Sequence, residues 1–108
     1  MKLNQLRTAN IERDIEWCNG AEPLNICFRA TELSGEVGEA CNIIKKIERE
    51  RLGLVGTRAS MNELADELAD VIICTDLIAM DLGIDLGEAV RNKFNATSEK
   101  YKLKTKIQ

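Results

Sequence analysis

Acidic residues recur with the same spacing in two separate segments of the chain. Carboxylates stand at positions 0, 4 and 7 of ELSGEVGE and again of ELADELAD, which gives the sets Glu32, Glu36, Glu39 and Glu63, Glu67, Asp70. Residues three and four apart lie on one face of an α-helix, so each set would line one helix face. Like charges in this arrangement repel by about 0.2–0.5 kcal/mol per pair in an isolated helix. A single copy fits a solvated surface, whereas two copies in the same phase predict a shared cation.

The apolar residues keep the same phase relative to the acids in both segments. One stripe at helical spacing runs from Leu33 to Ile47, and its equivalent runs from Leu64 to Ile78. If the stripes pack together, the acids meet at the edge of the seam and are partly desolvated there. A divalent cation would offset that cost, and a site made only of carboxylates suits Mg²⁺, with Mn²⁺ as a substitute.

Long stretches without helix breakers predict a single all-α domain over residues 1–108. The chain has one proline and only seven glycines. Asn19 and Gly20 form a pair that ends a helix in a left-handed turn. The predicted helices run from about Leu3 to Cys18, from Asn25 or Ile26 to Arg51, from Ser60 to Leu82 and from Leu86 to Tyr101. Asp85 is the predicted N-cap of the last helix, and the residues after that helix are predicted to fray.

Ser60 and Glu63 have the spacing of a capping box, in which each side chain bonds the backbone N–H of the other residue. This structural role ranks Glu63 below Glu67 and Asp70 as a metal ligand.

The third predicted helix is apolar nearly all round, because Ile73, Leu77 and Met80 point away from its main stripe. Such a helix is buried on more than one side, which four short helices in one subunit hardly achieve. The sequence therefore predicts at least a homodimer.

Composition excludes several classes of protein. The formal charge is −3, and basic residues gather mainly after residue 90, so a nucleic-acid surface is not indicated. No apolar run is long enough to span a membrane. The absence of His excludes Ser-His-Asp and Cys-His catalysis and disfavours zinc. Four cysteines without CxxC spacing predict reduced, buried, structural thiols in a cytoplasmic protein.

The two acidic motifs resemble those of a known family. Glu36-Val-Gly-Glu39 and Glu67-Leu-Ala-Asp70 are similar to the ExxE…ExxD signature of the MazG-like all-α nucleoside triphosphate pyrophosphohydrolases. The flanking segments ELSGEVGEACNIIKK, ELADELADVII and LGIDLGEAV also resemble that family, so the likeness covers about residues 30 to 101. It implies a four-helix bundle-like subunit that assembles as a homodimer or a dimer of dimers.

The resemblance also implies an activity. Family members cleave a nucleoside or deoxynucleoside triphosphate between the α- and β-phosphates, giving the monophosphate and pyrophosphate, and nucleotide-pool house-cleaning would be such an enzyme's task. The family's metal ligands correspond to Glu36, Glu39, Glu67 and Asp70, the set that helix geometry also selects. Glu32 is a candidate general base, and a solvated surface acid is the alternative for it.

Several further residues are candidates for substrate binding. In the last helix Lys93 and Lys100 match the family's pattern in kind, whereas Thr97 departs from it and Asn95 stands nearby. Asn42 and Lys45 are placed to reach phosphates or sugar, or are ordinary surface residues. Trp17 could stack on a base, as an aromatic in that region of the family does, or pack in the core.

Two other functions compete with this interpretation. A redox di-metal bundle would need Glu-x-x-His pairs, which the chain lacks. A non-catalytic helical interaction module would explain the apolar stripes and leave the aligned acids unexplained.

Overall fold

A computed structural model describes residues 1–108, and all of its regular structure is helical. The four helices are α1 (Leu3–Cys18), α2 (Ile26–Arg51), α3 (Met61–Asp81) and α4 (Leu86–Lys100). The all-α prediction is confirmed, and the predicted helix ends agree with these bounds to within about a residue. None of the helices has the length and apolarity needed to cross a membrane.

The helix ends follow from local chemistry. Asn19 and Gly20 adopt left-handed conformations, with φ of 45° and 81°, where α1 ends. The Ser60 side chain accepts from the backbone N–H of Glu63 at 3.1 Å, and the Glu63 carboxylate accepts from the Ser60 N–H at 2.9 Å. Asp85 caps α4 by accepting from the Glu88 N–H at 3.0 Å. Both predicted caps, the capping box included, are confirmed.

Helices α2 and α3 form the main pair of the fold and run antiparallel. Their contacts pair Arg29 with Asp81 near one end and Glu32 with Cys74 further along. Helix α1 packs on α3, and α4 contacts α1.

Two buried ionic clusters attach α1 to the main pair. Asp76 of α3 accepts from Arg7 and Asn10 of α1. Arg29 of α2 donates to Asp14 of α1 at 2.9 Å and to Asp81 of α3 at 2.9 Å. We call these the Asp76 cluster and the Arg29 cluster. Polar contacts therefore take the place of an apolar core at the α1 interface, and Ile11 and Ile15 of α1 are exposed.

A single subunit is open rather than compact. Its radius of gyration is 17.3 Å, whereas about 13 Å is typical of a compact domain of this length. Its accessible surface is 8147 Å², against about 6,000 Å² for a monomeric protein of this mass. Only three apolar residues are buried, namely Ala40, Cys74 and Ala79.

The two apolar stripes are only partly buried within the subunit. Ala40 is buried, but Val37, Ile44, Leu68 and Ile72 are between 42% and 49% exposed. The prediction that the stripes seal against each other is thus met only in part, because each stripe is wider than one helix partner can cover.

Two further predictions are wrong in detail. Of the four cysteines, all free, Cys74 is buried, whereas Cys27 and Cys41 are exposed. The residues after α4 do not fray: the Asn95 amide exchanges two 2.8 Å hydrogen bonds with the backbone of Ile107. Asn95 thereby satisfies both polar groups of one peptide residue, as a strand partner would, and holds the tail along α4.

Candidate metal centre and adjoining cavity

The structure brings the two acidic motifs together at the edge of the α2–α3 seam. Carboxylate oxygens of Glu36, Glu67 and Asp70 all lie within 4.8 Å of one another. Glu39 lies next to both Glu36 and Glu67 and interacts with their carboxyl groups. We call these four residues the acid cluster. The arrangement follows from antiparallel packing, which sets the first acid of each ExxE/D motif beside the last acid of the other, Glu36 near Asp70 and Glu67 near Glu39.

Two oxygens of the acid cluster lack any partner in the protein. Glu36 Oε2 and Glu67 Oε2 are sealed from solvent and accept no hydrogen bond. Buried carboxylate oxygens without a donor are costly, and proteins normally pair them with cations or N–H groups. The carboxylate-only donor set fits a hard, oxygen-preferring cation such as Mg²⁺ or Mn²⁺.

The crowding of negative charge disfavours ionisation. The neighbouring Glu39 carboxyl, followed by burial and the charges of Glu36 and Asp70, raises the pKa of Glu67 from 4.5 to about 7. Burial, and then the charges of Glu39 and Asp70, raise the pKa of Glu36. Near neutral pH Glu67 is therefore partly protonated, and a cation would displace its proton.

Glu32 lies one helix turn from Glu36 and is half-buried, not solvated. Its Oε1 accepts from the buried Cys74 thiol at 3.5 Å. Burial, with the charge of Glu32, raises the pKa of Cys74 to about 12, so this thiol stays protonated and acts as a donor. Glu32 is thus held at the side of the acid cluster, with its other oxygen free.

A cavity of about 270 Å³ opens directly beside the acid cluster, between α1, α2 and α3. Glu36 and Asp70 form its wall at one end, and Glu32 follows. Phe28 and Trp17 contribute aromatic surface further along. The cavity therefore combines an acidic end with an end that offers apolar and aromatic surface. With a cation at the acidic end, it would suit a ligand that carries phosphates on an aromatic group.

The remaining predicted site residues lie elsewhere. Trp17 is 80% exposed and borders the cavity, so the alternative that it packs in the core is wrong. Asn95 is engaged with the tail. Asn42, Lys45, Lys93 and Lys100 are exposed, and none of them borders the cavity of the same subunit.

Four further polar residues that line the cavity were not predicted from the sequence, namely Asn10, Arg13, Asp14 and Arg29. A signal for Asn10 and Asp14 existed. Asp76 interrupts the otherwise apolar run VIICTDLIAM, and an acid inside such a run indicates a buried partner. Arg7, Asn10 and Asp14 then form a polar stripe at helical spacing on α1, which could have supplied that partner.

Comparison with known proteins gives one family and no individual relative. A family model described as MazG-like family matches residues 38–108, well over half of the chain. The matched range contains Glu39, Glu67 and Asp70, whereas α1 and Glu36 precede it. Neither the curated proteins nor the solved structures give a match.

Proposed function

Because the chain belongs to the MazG-like family, we propose that it is a metal-dependent pyrophosphohydrolase acting on nucleoside or deoxynucleoside triphosphates. Hydrolysis between the α- and β-phosphates would release the monophosphate and pyrophosphate, in the service of nucleotide-pool house-cleaning. The single observation that carries this proposal is the convergence of Glu36, Glu67 and Asp70 within 4.8 Å at the end of a cavity.

The acid cluster would hold the metal. Glu36, Glu39, Glu67 and Asp70 supply only oxygen ligands, and two of those oxygens are buried without a donor, so Mg²⁺ is the preferred occupant and Mn²⁺ a substitute. Such an ion supplies charge neutralisation of the triphosphate and alignment of a water opposite the leaving pyrophosphate.

Glu32 is the residue that we assign as proton acceptor. It lies between the acid cluster and the cavity, and the Cys74 thiol fixes one of its oxygens. Its second oxygen is free to take a proton from the attacking water. The Cys74 hydrogen bond would act by positioning this carboxylate.

The apolar end of the cavity would take the nucleoside. Trp17 and Phe28 border it and offer ring surface for a base. Asn42, Lys45, Lys93, Asn95 and Lys100 remain substrate-binding candidates, and because none of them borders this cavity, they would reach the triphosphate from a second subunit.

We also propose that the active form is a homodimer, or a dimer of dimers. The subunit exposes about 2,000 Å² more than a monomer of its mass should. Twice that area falls within the range of obligate homodimer interfaces, which bury roughly 2,000–5,000 Å². The exposed parts of the two apolar stripes are the surface to be covered. Sedimentation velocity at micromolar concentration should give a dimer or tetramer, and a folded monomer would contradict the assignment.

The activity is tested by incubating the purified protein with Mg²⁺ and a panel of nucleoside and deoxynucleoside triphosphates. Pyrophosphate and the monophosphate should form in equal amounts, without orthophosphate. Orthophosphate as the first product would place the cleavage elsewhere, and no turnover of any triphosphate would favour a non-catalytic interaction module.

The ligand assignment is tested by Glu39→Gln and Asp70→Asn, which should abolish turnover while the helical circular dichroism signal is kept. Asp66→Asn is the matched control, because Asp66 is an exposed acid on the same helix and should be dispensable. Normal turnover in either ligand variant would contradict the assignment.

A further inference from the structure

Asn10 is a buried polar residue that borders the cavity. It lies on α1, is only 2% exposed and contributes to the cavity wall with Ile73 of α3. The family match begins at residue 38 and so assigns Asn10 no role. A buried amide beside a ligand-sized cavity calls for an account of each of its polar atoms.

The orientation of the Asn10 amide is fixed by its partners. Its Nδ2 donates to Asp76 Oδ2 at 3.0 Å and to the carbonyl oxygen of Ile73 at 3.4 Å. Both partners can only accept, since a carboxylate and a carbonyl carry no proton to donate. The nitrogen must therefore face α3, and Oδ1 must point the other way.

No protein group donates to Asn10 Oδ1. The side-chain oxygens that are sealed from solvent without a partner belong to Glu36 and Glu67, so Oδ1 keeps access to the cavity that Asn10 lines. The cavity wall thus carries one acceptor whose identity cannot switch to a donor.

The Asp76 cluster holds this acceptor in place. Asp76 is 1% exposed, and Arg7 Nε lies 3.2 Å from both of its oxygens while Arg7 Nη2 lies 3.0 Å from Oδ1. The Asn10 amide is hydrogen-bonded to a buried carboxylate whose two oxygens are both held by Arg7, so the amide is preorganised. Preorganisation favours selective recognition of one ligand over adjustment to several.

The height of Asn10 above the acid cluster fits a base more closely than a sugar. Asn10 is attached to α3 at Ile73 and Asp76, three and six residues beyond Asp70, which is about 4.5–9 Å along the helix. A nucleotide with its phosphates at the acid cluster would place its sugar first and its base at this height. Phe28 and Trp17 border the same part of the cavity.

We propose that Asn10 is a specificity-determining residue whose Oδ1 accepts a hydrogen bond from an N–H group of the substrate's base. The inference rests on the proposed function for the identity of the ligand as a nucleotide. A site that presents a buried acceptor rejects an analogue lacking the donor, because the acceptor is then left unpaired.

Matched substrate pairs test the proposal on the wild-type protein. Adenosine triphosphate is compared with purine riboside triphosphate, cytidine triphosphate with its 4-deamino analogue, and uridine and guanosine triphosphates with their N3- and N1-methylated forms. For the preferred base, we expect kcat/KM to fall by about 10- to 100-fold when the donor is lost. Equal kcat/KM within that pair overturns the proposal.

Variants locate the effect at Asn10. In Asn10→Ala the ratio within the preferred pair should shrink to less than about threefold, whereas Asn4→Ala, on an exposed position of the same helix, should keep the wild-type ratio. If Asn10→Ala instead changes the ratio of ribo- to deoxyribonucleotides, Oδ1 faces the sugar and the proposal is wrong. If Asn10→Ala fails to fold, the comparison of matched substrates on the wild-type protein decides whether the proposal stands.

Failure of the proposed function gives a different pattern. If no triphosphate is hydrolysed, the same pairs are measured by calorimetric binding with Mg²⁺ present. Tighter binding of the donor-bearing member supports the role of Asn10 in a protein that binds without catalysis. Equal binding overturns that role, and absence of binding overturns both proposals.

Discussion

Helix α3 carries acids in two regions, and the protein supplies a counter-charge in only one of them. At the interface with α1, Asp76 is matched by the guanidinium of Arg7 within 3.2 Å. At the seam with α2, Glu67 and Asp70 face the further carboxylate of Glu36, and no Arg or Lys forms an ion pair with any of them. The two regions are about one and a half helix turns apart on the same helix.

The contrast separates acids that pair with arginines of the fold from acids that have no cationic partner in the chain. Where the chain needs an acid for structure, as in the two ionic clusters, it supplies an arginine within hydrogen-bonding distance. The acid cluster has no such partner, and crowding raises the pKa of Glu67 to about 7. A group of acids without a counter-charge in the chain is what is expected of a metal site.

The contrast predicts that removing a matched acid destabilises the protein. Asp76→Ala deprives the Arg7 guanidinium and the Asn10 amide of their carboxylate acceptor, and should lower the free energy of unfolding by about 3 kcal/mol. The lower end of the range for buried pairs applies, since the Arg7 side chain is 22% exposed. Urea denaturation at fixed protein concentration measures this, and Asp66→Ala is the control. Equal stability of the two variants would remove the distinction between the regions.

Removing a residue of the acid cluster should lower activity and leave stability intact. Glu67→Gln replaces a proposed metal ligand and should reduce kcat/KM by at least about 100-fold, the upper end of the loss usual for groups that only support a ligand. In the absence of metal the variant should be at least as stable as the wild type, because it relieves repulsion among the carboxylates. Steady-state pyrophosphate release and urea denaturation with chelator give the two readings. A destabilised variant with full activity would reverse the interpretation.

The two regions also differ in how far the sequence predicted them. The repeated 0, 4, 7 spacing located Glu36, Glu67 and Asp70 before any packing was known, because helix periodicity alone puts such residues on one face. Helix ends were equally predictable, since Ser60 and Asp85 cap through contacts three residues away. Local chemistry was sufficient in both cases.

What depends on pairing between distant segments was not predictable. Asn10 meets Asp76 across 66 positions, and Arg29 meets Asp81 across 52. The acid in the apolar run of α3 and the polar stripe on α1 indicate that buried partners exist, but neither pattern specifies which residues pair. The cavity, too, exists only where the three helices meet. Anchoring of the tail by Asn95 was missed for the same reason, since an Asn on a helix surface gives no sign of bonding a backbone 12 residues later.

Metal binding at the acid cluster should stabilise the protein, and the size of this stabilisation should depend on pH. A carboxyl whose pKa rises on folding destabilises the fold as pH increases, so the metal-free protein should lose stability between pH 4.5 and about 7 through Glu67. Above that range Mg²⁺ replaces the proton, and at 100 times its dissociation constant it should add about 2.7 kcal/mol. Within that range the proton and Mg²⁺ compete. Thermal melting with Mg²⁺ or chelator at pH 6 and pH 8 measures this, and a larger metal effect at pH 6 would contradict it.

The smallest effect is expected where acid and base are matched but exposed. Glu48 and Arg51 form an ion pair three residues apart on α2, with side chains 50% and 67% exposed. The Arg51 guanidinium lowers the pKa of Glu48, yet water and salt screen the pair and its side chains lose rotamer freedom when they associate. Arg51→Ala should therefore shift the melting temperature by less than about 2 °C. A shift as large as that of Asp76→Ala would mean that pairing alone, rather than pairing under burial, sets the stability of the ionic clusters.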